Sequence, residues 1–283
     1  MTKVIEIDNL TKTYGKHRGV EKVSFSVEKG ELFGFLGPNG AGKSTTIRSM
    51  LGMLRYEQGT IKLLGKDSIA KRTEILKEIG YMPSEAMFYP SMRVKDVIKL
   101  AADIYKKDCR EEAQKLCERL QVDTEKKVEE LSLGNRKKVS IVCAMQHRPK
   151  LFIFDEPTSG LDPLMQNEFF KLVQEYVAQG ATCFLSTHVL SEVKKYCGRV
   201  AIMKEGRLLC VDSVEKLTQS SAKHVKIVRD GVSEDFIFRG ELQNLFKELL
   251  QGNVTDVLIE EPPLDEVFLH YYHSNEENAL VKK

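Results

Sequence analysis

Residues 37–45 read Gly-Pro-Asn-Gly-Ala-Gly-Lys-Ser-Thr, and few short strings restrict a fold so tightly. Gly37, Gly42, Lys43 and Ser44 fall on the pattern Gly, four residues, Gly-Lys-Ser/Thr. The string lies between the apolar run Leu32–Leu36 and the helically spaced Ile47, Met50, Leu51 and Leu54. A strand, a glycine turn and a helix start therefore follow one another, which is the context this phosphate-binding loop requires. Glycines let successive N–H groups point inward. The helix start adds unpaired N–H groups and the positive end of its dipole. Gly37, Pro38, Asn39, Gly40, Ala41, Gly42, Lys43, Ser44 and Thr45 are accordingly the candidate nucleotide-binding residues. Lys43 brings a full charge to the outer phosphates and Ser44 a hydroxyl to Mg²⁺, so binding of ATP or GTP is expected.

The rest of the chain alternates strands and helices around that loop. Strands are predicted at Val4–Ile7, Val23–Val27, Leu32–Leu36 and Thr60–Leu64. From Ser91 the period changes. Val94, Val97, Ile98, Ala101 and Ile104 form one helical stripe, and Ala113, Leu116, Cys117 and Leu120 form another. Short strands at Leu151–Phe154 and Thr182–Ser186 then flank a helix from about Pro163 to Gln179, with Pro163 suited to its first turn and Gly180 to its end. Such alternation implies a parallel sheet. Val200–Met203 and Arg207–Val211 read as a hairpin around Glu205-Gly206. A linker is expected at Gln219-Ser220-Ser221-Ala222. Beyond it the strands Val225–Val228, Phe236–Phe238 and Val254–Ile259 and the helices Glu241–Leu250 and Leu264–Tyr272 suit a small α+β appendage.

Bulk composition excludes more than it selects. A chain of 283 residues, 42% hydrophobic and 30% charged, with net charge +2, is ordinary for a soluble globular protein. That charge argues for no particular partner, nucleic acid being neither suggested nor excluded by it, and clusters such as Arg136-Lys137-Lys138 and Lys194-Lys195 read as solvated faces and not nucleic-acid patches. Glu6 and Asp8 interrupt the N-terminus, so no signal-peptide core is expected, and no apolar run approaches a membrane span. The six cysteines show no Cys-x-x-Cys pair. Buried thiols in a reducing compartment, the cytoplasm, are the expectation.

Further chemistry lies downstream of the loop. Leu151-Phe152-Ile153-Phe154-Asp155-Glu156 is an apolar strand ending in two carboxylates. Asp155 is placed to hold Mg²⁺ through its water shell, and Glu156 to polarise an attacking water as general base. Leu131-Ser132-Leu133-Gly134-Asn135 precedes a helix carrying Val139, Val142 and Cys143. Serine and glycine at a helix start make a second anion site, almost a hundred residues after the first. His188, in Ser186-Thr187-His188, stands just past a strand end.

This set, in this order, strongly resembles the ATP-binding subunit of ABC transporters, from about Val4 to Leu217. The motifs that carry the resemblance are the P-loop, Leu-Ser-Leu-Gly-Asn, Phe-Ile-Phe-Asp-Glu-Pro-Thr-Ser-Gly-Leu-Asp-Pro and Ser-Thr-His. The resemblance implies an α/β P-loop NTPase: a RecA-like core, an antiparallel β subdomain and a helical subdomain at about 86–145. The ATP-binding domain is placed at 1–218 and a C-terminal accessory region at 219–283. It further implies that Ser132 and Gly134 of one subunit close on the γ-phosphate held by Lys43 of another, giving a head-to-tail dimer with a second copy or a paralogue. Tyr14 is then the aromatic that stacks on adenine, the alternative being a structural tyrosine in a turn. Asp162 links the two sites across the dimer, and His188 holds the γ-phosphate and the attacking water.

Two departures from the family pattern are visible. Leu133 and Asn135 stand where glycine and glutamine are usual, leucine being a variant of exporter subunits. Ser84, in Gly80-Tyr81-Met82-Pro83-Ser84-Glu85, stands where the family has the glutamine that touches Mg²⁺ or water and reports to the membrane partner. Glu85 substitutes only if the loop shifts by one residue. The resemblance is greatest to ABC-2-type exporter subunits of drug, bacitracin and sodium efflux. That implies an ATP hydrolase powering a separately encoded transmembrane permease from the cytoplasmic face of the plasma membrane. A regulatory or scaffold ABC protein with little hydrolysis, and a soluble non-transport ABC ATPase, are the alternatives.

Overall fold

Apolar runs without polar alternation, such as Leu32–Leu36 and Leu151–Phe154, suit strands that a sheet buries on both faces. In the computed structural model both are central strands with every residue buried. The structure describes residues 2–15, 17–85, 87–219, 223–238, 240–250 and 253–260. It falls into two units, residues 1–211 and 212–283.

The first unit opens with β1 (Lys3–Tyr14), β2 (His17–Glu28), β3 (Leu32–Leu36), α1 (Lys43–Met50), β4 (Gln58–Leu63), β5 (Lys66–Asp67), α2 (Arg72–Leu76) and β6 (Ile79–Met82). Three helices follow: α3 (Val94–Tyr105), α4 (Arg110–Arg119) and α5 (Leu133–Met145). It closes with β7 (Leu151–Asp155), α6 (Pro163–Ala178), β8 (Thr182–Thr187), α7 (Leu190–Tyr196), β9 (Arg199–Lys204) and β10 (Arg207–Ser213). The main sheet has the order β10-β9-β3-β8-β7-β6, and its strands β9, β3, β8, β7 and β6 run parallel. A second sheet, β2-β1-β4-β5, is antiparallel. This is the expected RecA-like P-loop core with its antiparallel and helical subdomains.

The layers meet through aromatic side chains. Phe25 of β2 stacks on Phe33 and Phe184 with ring centroids 5.8 and 5.9 Å apart, and Phe35 lies 5.1 Å from Phe184. That cluster joins the antiparallel sheet to β3 and β8. On β7 the period of two separates the faces. Leu151 and Ile153 join the same core, whereas Phe152 and Phe154 pack edge-on against Tyr176 and Phe169 of α6. Helix α5 packs on α3, α4 and β6.

Sequence periodicity located most of these elements but not β5, β6, α2 or α7, which are short. The basic cluster corrects a stronger expectation. Arg136 is exposed, but Lys137 and Lys138 are buried, at 2% and 9% exposure. They lie on the face of α5 turned to the core, so charge alone misplaced them. None of the six cysteines, all of them described residues, forms a disulfide: Cys109, Cys117, Cys183 and Cys197 are buried, and Cys143 and Cys210 half-buried.

The second unit contains α8 (Val214–Gln219), β11 (Lys223–Arg229), β12 (Val232–Phe238), α9 (Leu242–Leu249) and β13 (Val254–Glu260). Its antiparallel sheet, β12-β11-β13, buries Val225 and Ile227 beside Leu245. The segment Ser220–Ala222 of the expected linker and the expected helix Leu264–Tyr272 lie outside the described residues. Among the described residues no helix is long and apolar enough to cross a membrane.

Candidate functional site

The order of the parallel sheet sets the site. Strands β3, β8 and β7 are neighbours, so the residues just past their C-terminal ends come together. These are residues 37–45 after β3, Glu156 after β7 and His188 after β8.

The loop closes on itself first. Gly37 N–H donates to Thr187 O at 3.3 Å and Ala41 N–H to Pro38 O at 3.1 Å. Gly42 caps α1 with φ +98°, a left-handed conformation that favours glycine. A Cβ there would stand 2.7 Å from Val20 Cγ1, so both backbone and packing select glycine. Lys43 is almost fully buried. Its Nζ donates to Gly37 O at 2.7 Å and Pro38 O at 3.1 Å, and pairs with Glu156 Oε1 at 3.3 Å. The ammonium is thus held over the loop with its donors satisfied.

Two oxygens suited to a small divalent cation stand beside it. Ser44 Oγ donates to Asp155 Oδ2 at 2.8 Å, although the residues are 111 positions apart. Asp155 is buried, and its Oδ1 has no hydrogen-bond partner within the protein. A buried carboxylate oxygen left without a donor is costly, and a cation with water and phosphate oxygens as further ligands would satisfy it. The residues present therefore fit Mg²⁺.

Glu156 Oε1 also lies 3.4 Å from His188 Nδ1. Its backbone is in the left-handed region at φ +51°. Thr187 anchors the His188 turn, its Oγ1 donating to Glu192 Oε2 at 2.7 Å and accepting from Val189 N–H. Near the loop entrance Tyr14 is 44% exposed, and its hydroxyl shares a hydrogen bond of 3.4 Å with Thr45 Oγ1. Tyr14 thus stands partly exposed beside the P-loop, with Lys12 Nζ 5.6 Å from its ring centroid.

The remaining expected residues stand on other elements. Ser132 caps α5, its Oγ accepting from Asn135 N–H at 3.3 Å, and Gly134 packs on the Gly160 carbonyl. Asp162 caps α6 by accepting from Met165 N–H at 3.0 Å. Ser84 meets the site through its main chain, its carbonyl oxygen accepting from Lys137 Nζ at 2.6 Å, while Glu85 is exposed. Lys137 is the residue that sequence reasoning missed. Its Nζ also donates to Glu156 O at 2.7 Å. Burial lowers its pKa, against the opposing influence of Glu156, Asp155 and Glu85. The only sequence signal for it was its place one turn into α5, on the side of Ser140 and Ile141.

Comparison with known proteins gives the family. A family described as ABC transporter matches residues 20–159. The bacitracin transport ATP-binding protein BcrA of Bacillus licheniformis is 34% identical over 80% of this chain and 75% of its own. YhaQ of Bacillus subtilis (strain 168), described as an uncharacterized ABC transporter ATP-binding protein, is 31% identical over 94% of this chain and 97% of its own. A solved structure described as an ATP binding subunit of an ABC transporter superposes with a TM-score of 0.71 at 28% identity, covering 88% of this chain and all of that one. A P-loop, a strand-end Asp-Glu pair and a histidine converging on one sheet edge, in a chain with these relatives, mean that the protein belongs to the ABC transporter family as an ATP-binding and ATP-hydrolysing subunit.

Proposed function

We propose that two copies of this subunit, or one copy and a paralogue, close head to tail on two MgATP and drive a separately encoded ABC-2-type permease in export. The observation that supports this most is a division within the single chain. Lys43, Ser44, Asp155, Glu156 and His188 converge, whereas Ser132 and Gly134 open a different helix and make their contacts elsewhere. A second chain presenting its own α5 start would complete the phosphate site.

In this reading the N–H groups of residues 37–45 bind the phosphates, and Lys43 exchanges the Gly37 and Pro38 carbonyls for phosphate oxygens. Ser44 and Asp155 hold Mg²⁺, which neutralises charge on the phosphates. Glu156 takes the proton of the attacking water, and His188, against the same carboxylate, orients that water and the γ-phosphate. Tyr14 stacks on adenine. Asp162, at the start of α6, links the two sites across the dimer. Loss of the γ-phosphate removes contacts shared by the halves and reopens them. Similarity to a bacitracin transport protein favours export, and the subunit then works at the cytoplasmic face of the plasma membrane through its permease.

The test is Glu156→Gln. Turnover is expected to fall by about 10²–10⁴-fold, the contribution of a general base, while MgATP binding persists and the variant sediments as a dimer. Wild-type turnover removes Glu156 from the mechanism. A variant that stays monomeric at saturating MgATP, with no paralogue present, removes the sandwich.

A further inference from the structure

We propose that Lys137 is a positioning residue, whose buried ammonium holds the Glu156 main chain in its left-handed conformation and ties that conformation to the loop at Ser84. The inference deepens the proposed function and rests on its assignment of Glu156 as the base.

The side chain is 2% exposed, and its Nζ reaches two main-chain carbonyls, Ser84 O at 2.6 Å and Glu156 O at 2.7 Å. Burying an ammonium is costly, and a methylene chain alone would fill the space without that cost. The two carbonyls belong to segments that bracket the site. A non-glycine residue in the left-handed region is disfavoured and persists where the surroundings over-determine it. Glu156 meets that condition on both sides of its Cα. Its N–H donates to Ser186 O at 2.9 Å, and its carbonyl accepts from Lys137. The carboxylate so aimed lies within 3.4 Å of both Lys43 Nζ and His188 Nδ1.

Lys137 reads the carbonyl of Ser84, so the link between this loop and the base does not need the side chain there. Ser132 and Gly134 start the helix on which Lys137 sits one turn later. A displacement of α5 is therefore transmitted to the Glu156 peptide and to the loop together.

The experiment compares full-length Lys137→Met, of similar length but without donors, and Lys137→Gln, which keeps a donor, with the wild type. Steady-state turnover, equilibrium MgATP binding, thermal unfolding and amide hydrogen exchange are measured on each. For Lys137→Met kcat is expected to fall ten- to a hundredfold, with KM and the MgATP Kd within threefold. Exchange should rise in the segments around Ser84 and Glu156, and Lys137→Gln should recover part of kcat. Turnover within twofold of wild type in Lys137→Met overturns the inference. So does a joint loss of ATP binding and folding in both variants, which makes Lys137 merely structural. Full turnover in Glu156→Gln would instead remove the base assignment, whatever Lys137→Met does.

Discussion

Three alanine substitutions in the P-loop separate backbone conformation from packing. At Gly40 φ is +80° and a Cβ meets nothing within 4 Å, so alanine pays only for the left-handed backbone, about 1–2 kcal/mol. At Gly37 φ is not positive, but a Cβ would stand 2.5 Å from Met203 O, a main-chain atom of the neighbouring strand. Overpacking of that kind costs about 1–3 kcal/mol. At Gly42 both apply: φ is +98°, and a Cβ meets Val20 Cγ1 at 2.7 Å and Gly19 O at 3.0 Å. The sum for Gly42→Ala is about 2–5 kcal/mol. For a unit of this size that lowers the melting temperature by roughly 4–20 °C. Because the chain contains no tryptophan, unfolding of the nucleotide-free protein is followed by far-ultraviolet circular dichroism. The expected order of damage is Gly42→Ala above Gly37→Ala and Gly40→Ala. If Gly40→Ala destabilises as much as Gly42→Ala, the contact with Val20 and Gly19 is not what selects the glycine.

Two further outcomes are expected away from the loop. His147 is buried, its Nε2 bonded to Ile79 O at 3.2 Å and its ring stacked on Tyr105, and burial lowers its pKa from 6.5 to about 4. Its folded pKa lies below its unfolded one, so about 3 kcal/mol of stability is present in full above pH 6.5 and is lost as pH falls towards 4. Urea midpoints measured across that window should fall less steeply in His147→Gln, and an unchanged slope refutes the assignment. Burial also raises the Cys117 thiol to about 11 and the Cys183 thiol well above its ordinary value. At pH 8 about a thousandth of Cys117 is thiolate, so both should resist a thiol-directed disulfide reagent until urea unfolds the protein. Rapid labelling of either in the native state contradicts this.

What the sequence made legible was local. Residues 37–45 are a continuous run whose glycines, lysine and following helix act through neighbouring backbone, so a loop between strand and helix, and the phosphate chemistry expected of it, follow from composition and order. The same holds for Pro163 as the first turn of a helix, and for the Asp155-Glu156 pair as the end of an apolar strand. The short β6 offered only Ile79–Met82, too few residues to show a period, and its place beside β7 follows from pairing.

Tertiary structure alone decided which of these local pieces meet. Ser44 reaches Asp155, and Glu156 reaches both Lys43 and His188, because β3, β8 and β7 are adjacent in the sheet although far apart in the chain. It also decided the fate of Lys137, which charge assigned to solvent and packing turned inward to two carbonyls. Backbone geometry is written over a few consecutive residues. The partner of a buried charge is chosen by the elements packed around it, and no window of sequence contains them all.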